Sequence, residues 1–152
     1  MTVRRKASIA PLTANEQEAA NRAEATALLI RSGYRVYKPE VDSYGEDLVL
    51  RTPKGHLRAV QLKSRPTVDL SRYGGKRYGG VLSIWMLFPD PKSTPASDRQ
   101  WYLIAHDELF KWIKARHGRA PKWSGYWHYP DISKELRAFL HRHRIRSLGD
   151  SN

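Results

Sequence analysis

The chain has 152 residues, 40% of them hydrophobic, which suits one folded domain with a real core and excludes a disordered polymer. It has no cysteine, so disulfides and thiolate zinc sites are excluded and an intracellular, cytoplasmic home is expected. Lys plus Arg number 27 against 15 Asp plus Glu, and this net charge of +12, spread along the chain, favours polyanions as partners, nucleic acid first.

Residues 1–12, MTVRRKASIAPL, read as a loose basic arm with no apolar run behind it, unlike a signal peptide. No segment approaches the roughly 18 apolar residues of a membrane span. TANEQEAANRAEATALLIRSG predicts a helix: Thr13 and Glu16 form a capping-box pattern, alanine and leucine fill the interior, and Gly33 stops it. YRVYKP alternates and ends at proline, as a short strand does. EDLVLRT and HLRAVQLKSR read as strands around PKG. PTVDLSRYGGKRYGG holds four glycines and is expected to break regular structure, with its basic residues in an arm that touches phosphates. VLSIWMLFP is a nearly continuous apolar run, as in a buried central strand. DPKSTPASD reads as a loop and QWYLIA as another strand. HDELFKWIKARHG places Leu109, Trp112 and Ile113 at helical spacing. RAPKWSGYWHYP reads as an aromatic loop that fits either base stacking or the packing of a partner subunit. DISKELRAFLHRHRIRSLG predicts a closing amphipathic helix, with Ile132, Leu136, Phe139 and Leu140 on one face and arginines on the other. The order predicts an α/β or α+β fold of about five strands, a single domain over residues 1–152.

Polar groups interrupt the hairpin where its strands should be apolar. Pro53 has the preset φ for a first turn position and Gly55 tolerates positive φ, which predicts a three-residue loop closed by Thr52 opposite His56. In that register Asp47 lies opposite Gln61. Alternation puts Gln61 and Lys63 on one face, and Val60 and Leu62 on the other with Leu48 and Leu50. A carboxylate oxygen and an amide oxygen suit a hard cation such as Mg²⁺, which polarises a phosphate and acidifies a bound water. A neighbouring lysine orients that water or stabilises charge building on phosphorus. The chemistry is metal-assisted hydrolysis of a phosphodiester. A solvated sheet face and an ordinary turn aspartate are the plain alternatives.

An acidic residue, a turn and a strand ending in Gln-x-Lys resemble the PD-(D/E)XK nuclease superfamily, and within it the small nucleases related to group I intron endonucleases. Asp47 in YGEDLVL and Gln61 and Lys63 in AVQLKSR carry the resemblance, with the helix, glycine and short strand of LLIRSGYRVYKPE before them. It implies a restriction-endonuclease-like α-β-β-β-α-β core with a mixed sheet, Mg²⁺ or Mn²⁺ as cofactor, and DNA as substrate. A homodimer is expected if both strands are cut. The superfamily usually has an acid where Gln61 stands, and a neutral ligand holds metal more weakly. The first helix often adds a glutamate. Glu16, Glu18 and Glu24 are candidates, with Glu24 first and Glu18 second, because Glu24 sits on the more apolar half of the helix and needs a partner. Arg65, Arg72, Lys76 and Arg77, just beyond the strand, are the candidate nucleic-acid contacts. The histidines do not assemble a zinc site, and YGGKRYGG lacks the spacing of a phosphate loop. The rival reading is a non-catalytic nucleic-acid-binding module on the same fold.

Overall fold

The computed structural model describes residues 10–40, 46–75, 84–91 and 99–146. Helix α1, Ala14–Arg31, opens on Thr13, whose hydroxyl accepts the Glu16 amide at 3.2 Å while the Glu16 carboxylate accepts the Thr13 amide at 2.9 Å. It closes in a Schellman turn: Gly33 takes φ +86°, its amide donates to the Ile30 carbonyl, and the Tyr34 amide donates to Leu29. There follow β1 (Arg35–Tyr37), β2 (Leu48–Arg51), β3 (Leu57–Leu62), β4 (Thr67–Asp69), the single-turn α2 (Leu70–Tyr73), β5 (Trp85–Pro89), β6 (Trp101–Ala105), α3 (His106–His117), β7 (Tyr126–His128) and α4 (Lys134–Leu140).

The protein is an α/β fold. Five strands form a mixed sheet in the order β1-β2-β3-β5-β6, in which only β3 and β5 run parallel. Helices cover both faces. On one, Leu48, Leu50, Val60 and Leu62 pack against Ala25 and Leu29 of α1. On the other, Met86, Phe88 and Ile104 meet Leu109 and Ile113 of α3, and Leu136 and Leu140 of α4. Each fully buried aliphatic side chain stabilises the fold by roughly 1.5–3 kcal/mol, so α1 is held on the sheet by its middle and final turns. Its first turns extend past the apolar contact, over the end of the β2–β3 hairpin. At the far end of β5 the buried Asp90 carboxylate accepts two bonds from Arg137 of α4 and one from the Tyr102 hydroxyl. Burial and this anion push the Tyr102 phenol up to about 12.

Three expectations change. PTVDLSRY is not irregular: β4 and α2 lie within it, and β4 pairs antiparallel with β7 inside the supposed aromatic loop. Val68 and Trp127 on the inner side of this small sheet pack against the main core, which stabilises a pairing that neither three-residue strand could hold alone. The closing helix stops at Leu140. A 3₁₀ turn over His141–His143 follows, and the chain then extends along the sheet edge, where the Ile145 amide donates to the Trp101 carbonyl and Ile145 is buried. Pairing that edge outweighs continuing a helix through a run of arginine and histidine. Residues 81–83 of the VLSIWMLFP run, most of the basic arm and most of the DPKSTPASD loop lie outside the described residues. Among those described, no helix is long and apolar enough to cross a membrane.

Candidate active site

The site begins with the hairpin turn. Gly55 takes φ +89°, a conformation L side chains rarely adopt, and its amide donates to the Thr52 carbonyl at 2.8 Å. The Thr52 amide donates to the His56 carbonyl at 2.7 Å, which closes a three-residue loop. The ladder then runs Arg51↔Leu57, Leu50↔Arg58, Val49↔Ala59 and Leu48↔Val60, the register expected from Pro53 and Gly55. One residue further, the Asp47 amide donates to the Val60 carbonyl at 2.8 Å. That contact sets Asp47 beside Gln61. Oδ2 of Asp47 accepts the Gln61 Nε2 at 2.9 Å and the Leu62 amide at 2.8 Å.

Gln61 is 9% exposed, and its Oε1 is buried with no hydrogen-bond partner. Leaving such an acceptor unpaired costs about 1–3 kcal/mol, so the position calls for a cation or a water beside it. Lys63 follows at the point where β3 meets β5, its amide donating to the Leu87 carbonyl at 2.9 Å. Its Nζ lies 5.6 Å from the centre of the Tyr73 ring. Burial, and then the nearby Arg72 guanidinium, lower the Lys63 pKa; Asp47, Asp69 and Glu18 pull it back.

These three side chains line a cleft of about 370 Å³ whose opposite wall is the start of α1, with Gln17, Glu18 and Asn21. That wall is one helix face, since residues three and four apart sit above one another. Glu18 lies at the mouth, half-exposed and bridged to Arg22 at 2.7 Å. Asn21 is buried, and its Oδ1 accepts both Gln17 Nε2 at 3.1 Å and Arg99 Nη2 at 2.8 Å.

Glu24, the first-choice helix glutamate, does not line the cleft. Six residues from Glu18 is about 240° around a helix, and at that angle Glu24 grips the Arg99 guanidinium, whose Nε lies 3.2 Å from each carboxylate oxygen. The partner of this glutamate is thus the Arg99 guanidinium. Glu16 is occupied by the helix cap. Asn21 and Gln17 escaped the sequence reading. The signal for them was the spacing of Gln17, Glu18 and Asn21 directly above the core-facing Ala25.

Of the candidate nucleic-acid contacts, Arg65 is exposed and donates to the Pro130 carbonyl. Arg72 is exposed, 5.3 Å from the Tyr73 ring centre. Lys76 and Arg77 lie outside the described residues. Among the described residues no group of three or more His, Asp or Glu side chains could hold a metal. What the cleft offers is Asp47 and the orphaned Gln61 oxygen, with Glu18 opposite, and this all-oxygen set fits a hard divalent cation. Of the histidines, His106 serves structure. His106 is fully buried, with its Nε2 accepting the Asp69 amide and its Nδ1 bonded to Asp107.

No family model matches the chain, and no curated protein sequence matches it. Among solved structures, a bacterial homing endonuclease is similar over 88% of this chain and 87% of its own length, with 17% identity and a TM-score of 0.48.

Proposed function

We propose that this chain is a divalent-cation-dependent endonuclease that hydrolyses phosphodiester bonds in DNA. The observation that carries the reading is the convergence of Asp47, Gln61 and Lys63 on one cleft, with Gln61 Oε1 buried and unpartnered. Asp47 and Gln61 would hold Mg²⁺ or Mn²⁺, and Glu18 supplies the further carboxylate that a neutral glutamine calls for. When bound, such a cation polarises the phosphate and acidifies a water. Two donors fix Asp47, so its carboxylate needs little reorganisation on binding. Lys63 donates hydrogen bonds to the phosphate oxygen on which charge builds, and its partly buried setting strengthens that contact. Arg65, Arg72, Lys76 and Arg77 take flanking phosphates, in keeping with the net charge of +12. One cleft cuts one strand, so double-strand cutting calls for a homodimer.

The test is a cleavage panel of supercoiled plasmid, linear duplex, single strand, branched junction and RNA. It is run with Mg²⁺, Mn²⁺ or EDTA, for the natural protein and Lys63→Ala. Cutting is expected with either metal, to vanish in EDTA, and to fall at least about 100-fold in the variant. Binding without cutting, indifferent to EDTA and to the variant, would replace this reading with that of a nucleic-acid-binding module.

A further inference from the structure

The aromatic segment KWSGYWHYP divides in the structure. Trp123, Trp127 and Tyr129 turn inward against the core. Trp127 stacks on His117 with ring centres 4.5 Å apart, and the Tyr129 hydroxyl lies 2.6 Å from His117 Nε2. Tyr126 and His128 turn outward. They occupy alternate positions of β7, so their side chains stand on the same face, with ring centres 5.9 Å apart. Both are exposed, Tyr126 by 47%. Leu70, 48% exposed, joins them, its amide donating to the Gly125 carbonyl at 2.9 Å.

Cations stand at both ends of this ladder. His128 is the register partner of Thr67, and Arg65, two residues earlier, is fixed by its bond to the Pro130 carbonyl. Tyr126 is the register partner of Asp69, whose carboxylate accepts the Arg72 amide at 3.2 Å. The platform is close to the cleft along the chain. Thr67 is four residues beyond Lys63, a chain span of at most roughly 14 Å. Exposed rings flanked by guanidiniums suit a strand whose bases are free to stack, whereas a duplex hides its base faces.

We infer that Tyr126 and His128 form a stacking platform for unpaired bases, with Arg65 and Arg72 on the flanking phosphates. The substrate is thereby a nucleic acid with a single-stranded segment beside the bond to be cut. The platform rests on the nuclease reading only for that last step, because stacking requires neither metal nor Lys63.

Fluorescence anisotropy tests it with a short fluorescein-labelled single strand and the same strand in a blunt duplex. EDTA is present so that nothing is cut. The double variant Tyr126→Ala/His128→Ala should weaken single-strand binding about 5-fold to 100-fold and change duplex binding little. Tyr126→Trp alone should retain it. Equal loss on both probes, no loss on either, or no binding by the natural protein overturns the platform. So does a double variant that halves the protein's mass in solution and leaves oligonucleotide binding unchanged, since the face would then seat a second copy. Loss of single-strand binding in a protein that never cuts with Mg²⁺ would keep the platform and remove the nuclease.

Discussion

Glu18 and Glu24 show how one helix gives two identical side chains different work. Glu24 is held in an ion pair with Arg99 that is largely shielded from water. Glu18 faces the cleft with its carboxylate half in solvent. Glu24→Gln is therefore expected to lower the unfolding free energy by about 1–2 kcal/mol in urea titrations and leave cleavage nearly intact at low temperature. Glu18→Gln should do the reverse, with an unchanged urea midpoint and at least about 10-fold less cutting, most marked at low Mg²⁺. Lys63 makes a prediction of its own. Its pKa lies below the ordinary lysine value because burial and Arg72 disfavour the cation. If that cation serves the transition state, activity falls on the alkaline side at a lower pH than an ordinary lysine would give. In Lys63→Arg, where the charge persists, any residual activity should lose that limb in a pH–rate profile.

The hairpin fixes the relation between Asp47 and Gln61, and it was also the most legible element. Its loop length follows from Pro53 and Gly55, two residues apart in sequence, and period-two alternation does the rest. A one-residue insertion after Lys54 should abolish cutting while far-UV circular dichroism keeps its helical signal, because a slipped register turns Asp47 away from Gln61. Cutting that survives the insertion would mean the pair is dispensable. The small sheet was not legible. Neither TVD nor YWH carries enough alternation to announce a strand, and each becomes one only by pairing with the other across a long stretch of chain. The end of α4 was hidden likewise: HRHRIR has a helical pattern of charge, but Ile145 is needed against Trp101. Local chemistry can be read from a sequence, whereas competition between a helix and a distant sheet edge cannot. Glu24 belongs with these, since nothing near it in sequence points to Arg99.

At the scale of the molecule, His106 joins the two sheets. It begins α3 directly after β6, and its Nε2 accepts the amide of Asp69 in β4 at 3.0 Å. The bond needs a neutral ring, and burial lowers the His106 pKa despite the opposing pull of Asp107. The unfolded chain takes up that proton at about pH 6.5, while the folded one does so only at lower pH. Between those values the unfolded state holds more protons. The stability present above about pH 6.5 is therefore lost progressively as pH falls through the window. Thermal midpoints recorded across that range should decline more steeply for the natural protein than for His106→Gln. The parallel junction of β3 with β5 has a different consequence. Asp47 and Gln61 belong to one hairpin and meet after closure of a short loop. Lys63 is anchored to Leu87, on a strand reached only through the whole β4–α2 crossover. A growing chain released from the ribosome only as far as the hairpin already carries all three side chains but cannot hold the lysine among them. If the proposed function holds, the site is complete only once β5 has been made and paired with β3.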